Sequence, residues 1–269
     1  MPNRSFDLVI TDVDGTLVTT DKQLTQSSID TARELHDARI ALMITSSRPP
    51  RGLRMLIEPL ALTTPIAAFN GGMLVATDQS VIERHHLPQD CLVPIYEMLT
   101  SRGLDVWVYT ATEWFVPNES GPHVDQEMRA VQFSPTVRAG LEGITEVAKL
   151  VAVQDDHAVV ADAEKEVQRR FGGAVAAARS HPYYLDITHP EANKGKVVEF
   201  AESNLGVQRD RIVVVGDGRN DLAMFNKAGL SIAMGNAAPD VQAEADEVSR
   251  SNDDDGFTFA MRQYVLNRA

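Results

Sequence analysis

Phe6-Asp7-Leu8-Val9-Ile10-Thr11-Asp12-Val13-Asp14-Gly15-Thr16-Leu17 sets an apolar run directly against two carboxylates and a turn. Residues 6–11 are mostly apolar throughout, the pattern of a strand buried on both faces of a parallel sheet rather than of a strand with one wet face. Similar short runs recur at 40–45, 65–69, 211–216 and 230–234. Helical patterns lie between them at 26–38, where Ile29, Ala32 and Leu35 share a face, and at 51–60, 194–205 and 221–228. Strand alternating with helix at this spacing predicts βαβ units, hence a doubly wound, Rossmann-like α/β domain with a parallel sheet.

The middle of the chain has a different rhythm. Hairpin-like pairs are expected at 73–76 with 81–85 and at 105–109 with 113–116, helices at 90–102 and 162–171, and strands at 149–153, 174–178 and 184–187. This is α+β order. We therefore expect a smaller α+β domain, residues 84–188, inserted into a core made of residues 1–83 and 189–269.

Composition narrows the possible functions. A chain of 269 residues, 43% apolar and 23% charged, matches one large soluble domain plus a smaller one, with no run of about 18 apolar residues to cross a bilayer. Residues 1–4 lead straight into the apolar segment 6–10, too short for a secretory signal, so a cytoplasmic protein is expected. Cys91 is the only cysteine, which excludes an internal disulfide and a cysteine-built zinc site. Lys and Arg number 25 against 38 Asp and Glu, a net charge of −13 with no basic patch, so neither nucleic acid nor membrane is an expected partner. An acidic protein that handles phosphate must supply local positive charge from a metal, a lysine or helix N-termini.

Four places carry candidate chemistry. Asp12 and Asp14 stand at the carboxyl end of the first strand, where open α/β sheets place ligand sites, although Asp14-Gly15 is also an ordinary turn dipeptide. Gly216-Asp217-Gly218-Arg219-Asn220-Asp221 follows another buried run and brings two more carboxylates, as a magnesium-type oxygen site requires; a glycine-rich loop with a helix cap is the simpler alternative. Lys194 opens a predicted helix, where the helix dipole disfavours a cation, a cost that makes sense if it serves an anion. Ser46-Ser47-Arg48 follows the second strand and offers hydroxyl and main-chain donors. The acidic turn at Asp253 to Asp255 has no EF-hand ligand spacing around it and is expected to be a solvated loop.

Together these segments resemble the haloacid dehalogenase superfamily of phosphohydrolases, in its Cof-type, subclass IIB, sugar-phosphatase-like branch. The motifs occur in order across nearly the whole chain: Asp12 to Leu17, Ser46 to Arg48, Lys194-Gly195, and Gly216-Asp217 through Asn220-Asp221. Phe69-Asn70-Gly71-Gly72 resembles the turn leading to that branch's C2-type cap, and Asp255-Gly256-Phe257 its C-terminal segment. One departure matters: the family usually has Thr-Gly-Arg where this chain has Ser46-Ser47-Arg48, so Ser47 replaces the glycine that lets backbone approach phosphate closely.

The resemblance implies a Mg²⁺-dependent phosphatase acting on a small phosphorylated metabolite, a sugar phosphate or similar, through an aspartyl-phosphate intermediate. It casts Asp12 as nucleophile, Asp14 as acid and base, and Lys194 as charge stabiliser. Ser46, Ser47, Arg48, Asn70, Gly71 and Asn220 would hold substrate. Asp12, the Asp14 carbonyl and Asp217 would bind the metal, with Asp221 as a metal-site carboxylate beside them. A phosphomutase shares these residues and stays open as an alternative; a non-catalytic phosphate-ligand binder would be expected to have lost one of them. Trp107, Trp114, His123, Tyr183 and Tyr184 are candidates for reading the leaving group, and either a monomer or a homodimer fits.

Overall fold

The computed structural model describes residues 5–268, so residues 1–4, on which the expectation about a leader partly rests, lie outside the described residues. In chain order the elements are β1 (Leu8–Asp12), α1 (Gln26–Asp37), β2 (Ala41–Thr45), β3 (Ile66–Ala68), β4 (Met73–Val75), β5 (Val81–Arg84), α2 (Gln89–Ser101), β6 (Asp105–Tyr109), β7 (Trp114–Val116), α3 (Val124–Val131), β8 (Thr136–Val137), β9 (Lys149–Val153), α4 (His157–Phe171), β10 (Ala176–His181), β11 (Tyr184–Thr188), α5 (Lys194–Asn204), β12 (Ile212–Gly216), β13 (Leu230–Ala233) and β14 (Glu247–Val248).

Among the described residues, eight strands form one sheet in the order β14-β13-β12-β1-β2-β3-β4-β5. Pairing is parallel from β14 to β3 and antiparallel across β3, β4 and β5. The strand order reverses at β1, which lies between β2 and β12. Its five residues are all buried, and alternate side chains enter opposite layers. Val9 packs with Leu35 and Ile44 on one side, whereas Leu8 and Ile10 pack with Val198, Val214 and Met224 on the other. That two-sided burial is why the run carries no polar alternation. α1 closes one layer, started by Thr25, whose hydroxyl accepts from the Ser28 N–H.

Six further strands form a second sheet in the order β10-β11-β9-β6-β7-β8. One face is covered by α2 and α4, with Leu92, Ile95, Leu99, Val160 and Val167 against Val106, Leu150 and Leu185. The other face is aromatic: Trp107, Tyr109, Trp114 and Tyr184 join the cluster that contains Phe69 and Leu53 of the first unit. No helix among the described residues is long and apolar enough to cross a membrane.

Several element expectations need correction. Residues 51–60 form a 3₁₀ helix, Pro50–Leu56, instead of an α-helix. Pro50 starts it, and Gly52 lets it approach α3 so closely that a Cβ there would lie 3.1 Å from Val131. The helix expected at 221–228 is a 3₁₀ turn, Arg219–Asp221, followed by the short helix Leu222–Phe225. Its start is tightened because the Asp221 side chain turns inward to the preceding loop. α4 begins five residues earlier than expected, since Asp156 caps it by accepting from Ala158 and Val159. α3 is absent from the sequence expectations although Val124, Met128 and Val131 recur at i, i+4 and i+7; it is only eight residues long, shorter than the window over which such a period is read.

The central strand yields a stability prediction. Ile10 is fully buried, so Ile10→Ala should cost about 2–5 kcal/mol in urea unfolding with an unchanged m value. A loss under about 1 kcal/mol would contradict a packed two-sided sheet at that point.

Candidate active site

The carboxyl ends of β1, β2 and β12 meet the N-terminus of α5 at one spot, on either side of the point where the strand order reverses. Asp12 is the last residue of β1 and is 6% exposed. Lys194, the first residue of α5, is fully buried, and its Nζ lies 2.6 Å from Asp12 Oδ1 while also donating to Asp221 Oδ1. The three residues come from segments far apart in the chain and are held by one ammonium.

Asp217 completes the cluster. Among the described residues, Asp12, Asp217 and Asp221 each bring a carboxylate oxygen within 4.8 Å of the others. Thr16 Oγ1 donates to Asp217 at 3.0 Å, and Asn236 Nδ2 reaches both Asp217 Oδ2 at 3.3 Å and the Gly15 carbonyl at 2.9 Å. Gly15 has φ of +79°, and a Cβ there would fall 2.4 Å from Asp217 Oδ2, so the turn after Asp14 needs glycine for both reasons. Asp221 Oδ2 accepts from the main-chain N–H groups of Asp217 and Gly218 at 2.9 and 2.8 Å, locking the loop after β12.

Electrostatics follow from this crowding. Burial raises the Asp12 carboxyl well above the usual range; Lys194 pulls it down, while Asp221 and Asp217 push it further up. Asp217 is raised by burial and by Asp221, against the Thr16 hydrogen bond and Lys194. Burial disfavours the Lys194 ammonium, yet Asp12 and Asp221 outweigh that cost and raise its pKa. Three confined carboxylates facing one ammonium leave excess negative charge, and their donors are all hard oxygens. Such a set fits a small divalent cation of the magnesium type.

Asp14 behaves differently. Its carboxylate accepts Arg48 Nε at 2.7 Å and Nη2 at 2.6 Å, a bidentate pair, with Lys22 Nζ at 2.8 Å. Burial alone would raise it, but the hydrogen bonds and charge of Arg48, with Lys22, hold it at about 2.

The remaining residues singled out in the sequence converge on the same place. Ser46 is buried, its hydroxyl accepts from the Arg48 N–H at 3.1 Å, and its carbonyl accepts from the Asn70 N–H at 2.7 Å. Asn70 Oδ1 takes a hydrogen bond from Asn220 at 3.1 Å, and Asn70 itself has φ of 58°. Gly71, at φ of +90°, packs where a Cβ would meet Val197 at 2.9 Å. Ser47 is not among the residues with positive φ, so its backbone does not call for glycine. Arg48 is 4% exposed and is committed to Asp14. Of the residues assigned to the metal, only the Asp14 carboxylate stands outside the cluster; its expected contact was through the main-chain carbonyl. The acidic turn is held: Asp253 accepts from the N–H and hydroxyl of Thr20 at 2.8 and 2.7 Å.

Sequence reasoning passed over Thr16, Lys22 and Asn236. Thr16 lies inside a quoted motif, and Asn236 follows a buried run in Met234-Gly235-Asn236, a strand-end position that could have drawn notice. Lys22 had no signal, since only the fold brings it to Asp14.

An open α/β sheet with a lysine-bridged carboxylate cluster at its switch point defines a class of hydrolase-like sites. A family profile described as haloacid dehalogenase-like hydrolase matches residues 9–261. The chain belongs to that family and is an enzyme, a phosphatase by type. Its relatives include the 5-amino-6-(5-phospho-D-ribitylamino)uracil phosphatase YitU of Bacillus subtilis, 26% identical over 96% of this chain and 97% of that one. Among solved structures, a haloacid dehalogenase-like hydrolase from Bacteroides thetaiotaomicron superposes with a TM-score of 0.88 at 28% identity, covering 96% of this chain and 99% of that one. BT1666, from the same organism and described among phosphatases of the superfamily, gives 0.84 at 27%, covering 100% and 97%.

The Asp14–Arg48 pair has a pH signature. Because the folded-state pKa is depressed, its contribution is complete above about pH 4 and is lost as pH falls toward 2, amounting to about 2 kcal/mol. The stability gap between wild type and Arg48→Met, from urea unfolding, should therefore shrink as pH falls from 5 to 2. A gap constant over that interval would show that the pair does not hold Asp14 ionised.

Proposed function

We propose that the protein is a Mg²⁺-dependent phosphatase that hydrolyses a phosphomonoester of a small metabolite, a sugar phosphate or similar, through an aspartyl-phosphate on Asp12. The observation that carries this is the Asp12 carboxylate at the end of β1, oriented by a buried Lys194 and facing Asp217 and Asp221. Asp12, the Asp14 carbonyl and Asp217, with Asp221 alongside, would hold Mg²⁺, which when bound would supply charge neutralisation for phosphoryl transfer.

The residues then divide the work. Asp12 attacks phosphorus in line and Lys194 stabilises the charge that develops, since phosphoryl transfer depends mostly on positioning and electrostatics. Ser46, the Ser47–Arg48 main chain, Asn70, Gly71 and Asn220 form the phosphate loop around that point. Asp14 protonates the leaving oxygen, then takes a proton from the water that hydrolyses the acyl phosphate. Held at about 2 it is ionised but a weak base, so both steps require the Arg48 and Lys22 contacts to loosen as substrate arrives and let its pKa rise. Residues 84–188 act as a cap over the core of residues 1–83 and 189–269, a division supported by the separate second sheet.

The relatives named for a phospho-ribityl substrate support a small polyol phosphate as the class. The −13 charge argues against nucleic acid and anionic membrane, and the single cysteine agrees with a cytoplasmic monomer or homodimer. A phosphomutase remains the second reading, distinguished by whether phosphate is released to water.

Phosphate release in the presence of Mg²⁺ should vanish with EDTA and fall at least ~10²-fold in Asp12→Asn. Near wild-type release from a folded Asp12→Asn protein would sink the assignment. Lys194→Ala should cost ~10²-fold or more in kcat/KM, and equal kinetics would reduce Lys194 to a structural ion pair.

A further inference from the structure

The catalytic residues leave unused a charged cluster on the aromatic face of the second sheet. In register, Tyr109 pairs with Lys149, and both Trp107 and Asp186 pair with Val151, so these side chains share one face. The intervening residues, Val108, Leu150 and Leu185, pack under the helices. Lys149 is 6% exposed despite its charge. Its Nζ donates to the Ser47 carbonyl of the phosphate loop at 3.2 Å, lies 3.5 Å from Asp186 Oδ1, and sits 5.1 Å from the centre of the Tyr109 ring. Glu127 of α3 closes the group by accepting from the Tyr109 hydroxyl at 2.8 Å. Burial raises the Glu127 carboxyl while Lys149 opposes the rise.

The other candidates on this face are walls. Trp107 packs edge to face on both Trp114 and Tyr184 at 5.3 Å, so these three present ring surfaces and no charge. His123 and Tyr183 are stacked on each other at 3.9 Å.

Charge decides what such a group accepts. The buried Lys149 ammonium is already paired with Asp186, with Glu127 close behind Tyr109, so a further anion would meet no uncompensated positive charge at low dielectric. A hydroxyl can accept from an ammonium and donate to a carboxylate, and so is matched by the cluster as it stands. We propose that Lys149, Asp186 and Glu127 are the specificity-determining residues of the phosphatase, taking a neutral polyhydroxylated leaving group and refusing one that carries a second negative charge.

This rests on the phosphatase reading, and the test separates the two. Sorbitol 6-phosphate and 6-phosphogluconate differ only in a terminal CH₂OH against a carboxylate, and p-nitrophenyl phosphate serves as a substrate with no polyol. With Mg²⁺ present, wild type should favour sorbitol 6-phosphate by roughly tenfold or more in kcat/KM. Asp186→Asn and Glu127→Gln should each narrow that ratio and Lys149→Met should widen it. Each ratio is taken within one protein, so uniform loss of activity does not alter it, and thermal unfolding identifies any variant that fails to fold. A purely structural role would lower both substrates alike. Equal use of the two polyol substrates by wild type, ratios unmoved in the folded variants, or cleavage of the aryl phosphate with neither polyol substrate accepted would each overturn the proposal. No release from any of the three compounds would instead defeat the phosphatase reading beneath it.

Discussion

Lys194 is buried completely at the start of a helix, and the site is organised around that fact. Taking an ammonium out of water costs several kcal/mol, and its position at a helix N-terminus adds a further penalty. Asp12 and Asp221 offset both, and in doing so they bind the end of β1, the loop after β12 and the start of α5 into one unit. Removing one member of such a group would leave charge buried without a partner, which is more damaging than never having had the group. The geometry thus secures the carboxylates that the chemistry needs.

The same rule recurs at two neighbouring points. Asp14 is held by Arg48, tying the loop after β1 to the loop after β2. Lys149 ties the second sheet to Ser47 in that second loop, while Arg51 lies 4.6 Å over the Phe133 ring from the other unit. Contacts between the two units therefore fall on the segment that also surrounds Ser46.

The sheet and the carboxylates at its strand ends were legible because their signals are local. Residues 6–11 and 211–216 are apolar on both faces, and each ends on an acidic loop. Lys194 was legible through the oddity of a cation at a helix start. What was not legible depends on contacts between distant segments. Nothing in the sequence near Lys22 or Asn236 names Asp14 or Asp217 as partner. Pro50–Leu56 packs closely on α3 through Gly52, and α3, whose stripe is Val124, Met128 and Val131, is only eight residues long. The two tryptophans drew notice as possible readers of substrate, but they pack edge to face on each other inside the apolar cluster, and the charged residues beside them were invisible until strand register put them on one face.

The covalent step at Asp12 is the claim from which the rest follows, and it can be observed directly. Enzyme turning over a phosphomonoester with Mg²⁺ is quenched in acid within milliseconds and digested, and its peptides are mapped by mass spectrometry. One phosphoryl group should appear on the peptide containing Asp12, fragment to Asp12 itself, and be absent from Lys194→Ala enzyme quenched at the same time. A phosphoryl group on any other side chain, or steady turnover with no phosphorylated peptide at any quench time, would contradict the account.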